Sequence, residues 1–452
     1  MNTTASSRWR RARWPAAWLL LAWLAAACSS PPAAAAGAAD VVAAPDGTAK
    51  DAAAAPDGAA PDTALADVAD VSAAPADAAL ADIVSQDAAA DAPQADLPAP
   101  DAAPADAGPP PTVVWLHHPA AAELTLRGNA PPLTWDADLQ PTDVQGTAAR
   151  FVLDGDGPWQ VKALHKTAWA LGNNHVLQPH AANHLYPYFD AKTGAQKREN
   201  YDLPGPDGNP RTLRALLPPG YGENTVAKYP LLLMLDGQNL FEDATASFGV
   251  SWKLGDAVQA SMAAAKLGEI VTIGIDHAGV KRKFEYTPWY DNTRADGGGG
   301  EKFLVWVDKT VMPDAALRYR LLDDRTQRTI GGSSLGSLMA LYALVSRTNT
   351  WGNAICMSGA WWWDSMEIAT WVPTLWNPAL PVRVWLDAGT DNDNLADTQA
   401  MKALLEKLGL EVPQTLGYYE AVGAAHNESY WAQRVHLALE FLLDPGDLAK
   451  PF

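Results

Sequence analysis

The feature that most constrains this chain is a pentapeptide, Gly332-Ser333-Ser334-Leu335-Gly336, between two apolar segments. Residues 328–330 before it are typical of a short strand, and residues 338–344 after it are typical of a helix. A Gly-x-Ser-x-Gly sequence in this position predicts a tight turn, the nucleophile elbow, that exposes the central serine at the end of a sheet. Glycine on either side avoids clashes in the turn, and the helix N-terminus favours negative charge developing at Ser334. The alternative is an ordinary turn at the start of a helix.

A nucleophilic serine needs a general base, and two histidines follow Ser334 in the chain. His436 lies in a segment with apolar residues at helical spacing, so it is typical of a packed or solvated helix position. His426 lies just before that segment, among small residues that predict a loop with room for a substrate. We therefore predict that His426 is the general base, because the histidine follows the serine in enzymes with this elbow. The alternative is a loop histidine without a catalytic role.

The third catalytic residue would accept a hydrogen bond from the histidine and stabilise its charged form. A predicted strand at residues 381–386 runs into a turn with several aspartates. Asp387 is expected within or at the end of this strand, whereas Asp391 and Asp393 follow Gly389 in the turn. We predict that Asp393 is the acid and keep Asp391 as the alternative.

Ester chemistry also needs two backbone N–H groups aimed at one point, where they hold a negatively charged oxygen. One candidate donor is Leu335, the residue after the serine. The other is Gln238, because residues 230–235 form a continuous apolar run that is typical of a strand buried on both faces. Gly237 then lets the backbone turn directly after this strand. The alternative at Gln238 is an ordinary turn between a strand and a helix.

Together these segments resemble the esterase D-like branch of the α/β-hydrolases, which includes enterochelin esterases, feruloyl esterases and mycolyltransferases. The resemblance follows the family's order and rests on residues 216–221, 235–241, 285–288, 332–336 and 423–431. It implies an α/β-hydrolase fold, a mostly parallel sheet flanked by helices, over residues 201–452. It also implies a serine esterase that works through an acyl-enzyme and needs no cofactor. In this enzyme Ser334, His426 and the 391–393 turn supply the triad, and Gln238 and Leu335 supply the oxyanion donors.

Three adjacent tryptophans bear on the substrate. Trp361, Trp362 and Trp363 follow a predicted strand at residues 354–357, and we expect at least one of them to form a wall of the substrate pocket. The expected substrate is a small-molecule or glycan-linked ester. Two alternatives remain: an acyltransferase on the same fold, and a catalytically inert lipoprotein that binds glycan.

Residues 1–27 predict a signal peptide for export. Four arginines between positions 8 and 13 precede an apolar run, residues 14–27, that is short for a transmembrane helix. The run ends in small residues before Cys28 and resembles a bacterial lipoprotein cleavage site. We predict that Cys28 carries a lipid anchor in the bacterial cell envelope, at the outer membrane or facing the periplasm. A plain secretory signal is the alternative.

Residues 28–110 predict a disordered tether. From residue 31 onward this segment is rich in Ala, Asp and Pro and has no aromatic residue, so it cannot bury enough apolar surface to offset the entropy of the chain. It contains fourteen aspartates and one lysine, which is most of the chain's net charge of −19. The acidity therefore belongs to the tether, and it argues against nucleic-acid binding.

Residues 111–200 predict a small β-sandwich. Turn residues separate β-favouring runs at 112–116, 123–127, 149–153 and 159–164. The segment resembles the carbohydrate-binding-like domain that often precedes esterases of this branch. Trp135, Trp159 and Trp169 are candidates for stacking on a sugar, although core packing is the expected role.

Overall fold

The structure is a computed structural model, and it describes residues 109–443. Cys28, the predicted signal peptide and almost all of the predicted tether lie outside the described residues, as do residues 444–452. Within the described range, no helix is long and apolar enough to cross a membrane.

Residues 112–185 form two small sheets around a shared core. The strands are β1 Thr112–His117, β2 Leu124–Gly128, β3 Asp143–Gln145, β4 Ala148–Leu153, β5 Gln160–His165, β6 Ala168–Trp169, β7 His175–Val176 and β8 Ala182–Leu185. One sheet has the order β3-β4-β1-β8, and the other has the order β2-β5-β6 with β7 paired to β5. Every second residue of β1 and β4 is buried, as in a strand with one face on a core. Trp159 is 1% exposed in that core, so it is a packing residue.

Residues 197–425 supply an eight-stranded sheet. Its strands are β9 Lys197–Pro204, β10 Pro210–Leu217, β11 Leu231–Leu235, β12 Val271–Ile275, β15 Arg328–Ser333, β16 Asn353–Met357, β17 Arg383–Asp391 and β18 Leu416–Ala425. A short hairpin, β13 Tyr290–Asp291 and β14 Asp296–Gly297, lies outside the sheet. The order is β18-β17-β16-β15-β11-β12-β10-β9, and all pairs from β18 to β12 are parallel. The two remaining pairs, β12–β10 and β10–β9, are antiparallel.

Helices cover both faces of this sheet. They are α1 Leu254–Ala263, α2 Arg282–Glu285, α3 Gly300–Trp306, α4 Met312–Arg318, α5 Leu335–Ser346, α6 Ile368–Leu375, α7 Leu395–Lys407 and α8 Glu428–Leu442. Leu231, Leu233 and Leu235 of β11 pack in the same core as α3 to α7, whereas Leu232 and Met234 pack in the core of α1 and α8. Burial on both faces explains the continuous apolar run of β11. The predicted fold, a mostly parallel sheet flanked by helices, is confirmed.

Two strands are longer than the sequence predicts. Strand β17 continues through Asp387 to Asp391, past the predicted end at residue 386. Strand β18 includes residues 422–425, for which the small side chains predict a loop. They stay in the sheet because the strand pairs with β17, with a register shift between Gly389 and Asp391. His426 is therefore the first residue after β18.

Candidate active site

Ser334 lies in the turn between β15 and α5. Its backbone has φ 56° and ψ −121°, a strained conformation for a residue other than glycine. Two hydrogen bonds hold the turn: Ser334 N–H donates to the Met357 carbonyl, and Ala360 N–H donates to the Ser334 carbonyl, each at 3.0 Å. The turn therefore holds Ser334 at the N-terminus of a twelve-residue helix.

The two glycines of the motif differ in what they allow. A Cβ added at Gly332 would lie 2.9 Å from the backbone of Gly336, so the close approach of the two segments requires glycine there. A Cβ at Gly336 would meet its neighbours at 3.5 Å, an ordinary contact distance. The sequence predicts that a side chain would clash on either side of Ser334, but in the structure this holds for Gly332 and not for Gly336.

His426 and Asp393 form a hydrogen-bonded pair. His426 Nδ1 lies 2.5 Å from Asp393 Oδ1, where Asp393 follows β17 and His426 follows β18. The Asp393 side chain is fully buried, whereas the His426 side chain is 30% exposed. With Nδ1–H donated to the carboxylate, Nε2 of a neutral His426 is left as a proton acceptor. The other candidate acid, Asp391, is exposed, and its carboxylate accepts a hydrogen bond from Asn392 rather than from His426.

The second oxygen of Asp393 is also held by donors. It accepts hydrogen bonds from Ser358 Oγ at 2.5 Å and from Gly389 N–H at 2.6 Å. Burial raises the pKa of Asp393, but the hydrogen bonds from His426, Ser358 and Gly389 outweigh it and hold the pKa below its ordinary value. Asp393 is therefore a carboxylate at neutral pH.

Residues 357–360, at the end of β16, bond both Ser334 and Asp393, the partner of His426. Met357 and Ala360 bond the backbone of Ser334, and Ser358 between them bonds Asp393, the partner of His426. Within residues 109–443, no hydrogen bond joins the Ser334 hydroxyl to His426. Catalytic hydrogen bonds of this kind are often long until a substrate is bound.

Gln238 lies in a single 3-10 turn, Gly237–Asn239, directly after β11. A Cβ added at Gly237 would lie 2.6 Å from the backbone of Gly274 in β12, so this position requires glycine. The Gln238 side chain is fixed, because its Oε1 accepts from His277 N–H at 3.1 Å and its Nε2 donates to Ser247 at 3.2 Å. The backbone N–H groups of Gln238 and Leu335 find no acceptor among the described residues. Both are therefore free to bind an oxyanion.

A charged cluster next to the Gln238 turn was not predicted from the sequence. Arg282 donates to both carboxylate oxygens of Asp236, at 2.7 and 2.8 Å. Nearby, Glu428 is 6% exposed and accepts a hydrogen bond from Asn239 at 3.3 Å. Burial raises the pKa of Glu428. These partners come from separate segments, so spacing along the chain gave no signal for them.

Ser358 and Arg434 were also missed, although each had a signal. Ser358 directly follows β16, as Ser334 follows β15, and parallel strands end at one edge of a sheet. Arg434 lies three residues after Trp431 and next to Val435, so it is a charged residue on the apolar face of α8. A cation at such a position indicates a buried partner of opposite charge.

The three adjacent tryptophans differ from one another. Trp361 and Trp363 are fully buried core residues, and their indole N–H groups donate to Thr398 Oγ1 and to the Trp289 carbonyl. Neither can form the wall of an open pocket, which corrects that expectation for these two residues. Trp362 is partly exposed, with Arg294 4.8 Å from its ring. Only Trp362 remains a candidate for substrate contact.

No group of three or more His, Cys, Asp or Glu side chains between residues 109 and 443 could hold a metal ion. The titratable groups brought together at the carboxyl edge of the sheet include Asp236, Arg282, Asp387, Asp393, His426, Glu428 and Arg434. For chemistry, the site as a whole offers the hydroxyl group of Ser334, a histidine–carboxylate pair and the free backbone N–H groups of Gln238 and Leu335.

Residues 207–442 match the family model described as “Putative esterase”. The chain is 24% identical to the uncharacterized protein YbbA of Bacillus subtilis over 247 residues, and the aligned region covers 51% of this chain and 92% of YbbA. It is 27% identical over 177 residues to the siderophore triacetylfusarinine C esterase of Aspergillus fumigatus, covering 38% of this chain and 58% of that enzyme. The solved structure of the enterobactin esterase of Shigella flexneri is similar over 74% of this chain and 93% of its own, with 14% identity and a TM-score of 0.44.

Proposed function

We propose that this chain, which belongs to the Esterase family, cleaves its ester through a catalytic triad of Ser334, His426 and Asp393. Membership of the family makes the protein a carboxylic ester hydrolase. The observation that supports the triad is the 2.5 Å hydrogen bond between His426 and the buried carboxylate of Asp393. It fixes the imidazole so that Nε2 is the nitrogen available to a nucleophile.

In the proposed reaction, Ser334 Oγ attacks the ester carbonyl while His426 Nε2 takes its proton. The carbonyl oxygen becomes negatively charged, and the N–H groups of Gln238 and Leu335 donate to it. His426 then gives the proton to the departing alcohol, which leaves an acyl group on Ser334. Water attacks this acyl-enzyme by the same route and regenerates the free serine.

For the substrate, we propose a small-molecule ester of the siderophore type. The support is the name of the Aspergillus fumigatus relative, siderophore triacetylfusarinine C esterase. The fold alone does not select the substrate, because enzymes of one fold differ in the loops that form the pocket. The test is to compare kcat/KM on triacetylfusarinine C with kcat/KM on feruloyl, acetylated-glycan and p-nitrophenyl esters. A clear preference for any of the other esters would overturn this assignment and leave the triad proposal intact.

We also propose that the protein is lipid-anchored in the bacterial cell envelope through Cys28, for which the support is the sequence pattern at residues 14–28. Cys28→Ala is expected to release the protein from the membrane fraction and to leave its specific activity on soluble esters unchanged. Fractionation followed by an ester assay checks both results. A membrane-bound Cys28→Ala protein would exclude the anchor.

The turn that places Gln238 gives a further prediction. Gly237→Ala should lower kcat by about a hundredfold, because the new Cβ would displace the turn from β12 and with it one oxyanion donor. The matched control is Gly222→Ala, where a Cβ would meet only Thr193 Cγ2 at 3.7 Å. Steady-state kinetics and thermal melting of both variants separate a loss of catalysis from a loss of stability. Unchanged kcat in folded Gly237→Ala protein would show that the Gln238 N–H group is not an oxyanion donor.

A further inference from the structure

Behind Asp393 lies a buried polar network that the reaction above does not use. We call Ser358, Asp387, Trp431 and Arg434 the support network. Their exposures are 0%, 0%, 4% and 3%. Such polar groups are costly to bury unless they are paired, and the pairing here converges on Ser358.

The donors around Ser358 fix the direction of its hydroxyl group. Trp431 Nε1 lies 2.8 Å from Ser358 Oγ, and Arg434 Nη2 lies 2.7 Å from it. An indole N–H and a guanidinium can only donate, so both must be accepted by the oxygen of Ser358. The one proton of Ser358 is then left for Asp393 Oδ2, at 2.5 Å. Ser358 is thus an obligatory donor to Asp393.

Arg434 connects two buried carboxylates. Its Nε donates to Asp387 Oδ1 at 2.9 Å, and its Nη2 lies 3.4 Å from Asp393 Oδ2. Asp387 also accepts from Trp385 Nε1 at 2.7 Å. Burial raises the pKa of Asp387, and Arg434 opposes that rise. A single buried cation therefore lies beside two carboxyl groups, one of which belongs to the partner of His426.

We propose that Ser358 and Arg434 are positioning residues that hold Asp393 in one orientation and moderate its charge towards His426. This inference rests on the proposed function, because it assigns a role to groups that act through the triad acid. Ser358 and Gly389 N–H occupy Asp393 Oδ2, so Oδ1 is the oxygen directed at the histidine. Within residues 109–443, no hydrogen bond joins Ser358 or Arg434 to His426.

The network should also influence the pH at which the histidine acts as a base. The groups that face His426 are Asp393 from the β17 edge and Glu428 from α8, with the Asp236–Arg282 pair beyond Glu428. A carboxylate with fewer donors attracts a proton on the adjacent imidazole more strongly. Loss of Ser358 should therefore move the acid-side limb of the pH–rate profile to higher pH.

The test is the rate at which a fluorophosphonate probe labels Ser334, measured as a function of pH in the full-length protein. This rate reports the activation of the serine without requiring the natural substrate. Ser358→Ala is expected to react about tenfold to a hundredfold more slowly, as for the loss of one hydrogen bond to a charged group. The acid-side midpoint of its pH profile should move upward. With an ester substrate, kcat should fall while KM stays the same, because Ser358 does not touch substrate.

The matched control is Ser261→Ala. Ser261 is a buried serine that donates to the carboxylate of Glu440 at 2.9 Å, in α1 and away from the active site. It loses a bond of the same kind, so its labelling rate and pH profile should match those of the wild type. If Ser358→Ala also labels at the wild-type rate with an unchanged midpoint, the inference is wrong. If wild-type protein fails to label at all, the proposed function itself is wrong.

A second variant covers the case in which Ser358→Ala does not fold. Arg434→Lys keeps a positive charge beside Asp387 but loses the guanidinium fork that reaches Ser358 and Asp393. It should label severalfold more slowly than the wild type, because Asp393 loses one donor and Ser358 loses one of the two donors that fix its hydroxyl group. Labelling of folded Arg434→Lys at the wild-type rate would contradict the inference.

Discussion

Ser334→Ala is expected to lower ester turnover by about four to six orders of magnitude and to leave the fold intact. The loss is large because the residue is the proposed nucleophile, and alanine has no hydroxyl group with which to form the acyl-enzyme. The fold should survive because the Ser334 hydroxyl makes no hydrogen bond within the described residues. We therefore expect a change in unfolding free energy below about 1 kcal/mol. Steady-state kinetics and thermal melting check the two expectations.

The neighbouring serine supplies the control for this variant. Ser333 belongs to the same pentapeptide but ends β15, where it is 3% exposed. Ser333→Ala should keep activity within about tenfold of the wild type, because the Ser333 side chain is buried, whereas that of Ser334 is partly exposed. Near-normal hydrolysis by Ser334→Ala would overturn the whole mechanism, and a severe loss in Ser333→Ala alone would move the nucleophile by one residue.

The sequence predicts the central sheet well, because strands that are buried on both faces consist of apolar residues. Strand β11 is apolar at every position, since its residues pack alternately into the cores on the two faces of the sheet. The elbow at Ser334 is predicted for a similar reason, because the close approach of β15 and α5 requires glycine at Gly332. In both cases a local physical requirement selects the residue type.

The sequence does not separate a strand end from a loop when the residues are small. Residues 422–425 were predicted as a loop, yet they continue β18 because β17 supplies hydrogen-bonding partners next to them. Pairing of this kind depends on residues about thirty positions away, which no local pattern records. A run of three identical residues likewise does not show which of its members lie in the core: Trp361 and Trp363 are buried in one core, although Trp362 between them is partly exposed.

Sequence patterns identify only one member of the support network. Arg434 is marked as unusual by its apolar neighbours on α8, but nothing in the chain identifies Asp387 and Ser358 as its partners. The same limit applies to the choice between Asp391 and Asp393. The pairing of β17 with β18 shifts register between Gly389 and Asp391, and the carboxylate that faces His426 is that of Asp393, two residues further along.

Asp393→Asn is expected to lower kcat by about a thousandfold or more with little change in KM. An asparagine amide at this position would present an N–H₂ group as well as an oxygen, so it cannot accept from His426, Ser358 and Gly389 N–H at once. If the amide nitrogen faces His426, the imidazole must accept at Nδ1 and carry its proton on Nε2, which is the wrong tautomer for a base. The residue volume hardly changes, so the variant should fold.

Asp391→Asn is the matched control, because it makes the same chemical change two residues away. Asp391 is exposed, and within the described residues its carboxylate accepts a hydrogen bond from Asn392 and none from His426, so this variant should keep kcat within about threefold of the wild type. The comparison requires kcat and KM for both variants on one ester, together with the probe-labelling rate at Ser334. If Asp391→Asn is the severely impaired variant and Asp393→Asn is not, the acid of the working enzyme is Asp391. In that case the β17–α7 turn must rearrange when substrate binds, because the 2.5 Å bond from Asp393 to His426 would not be the catalytic one.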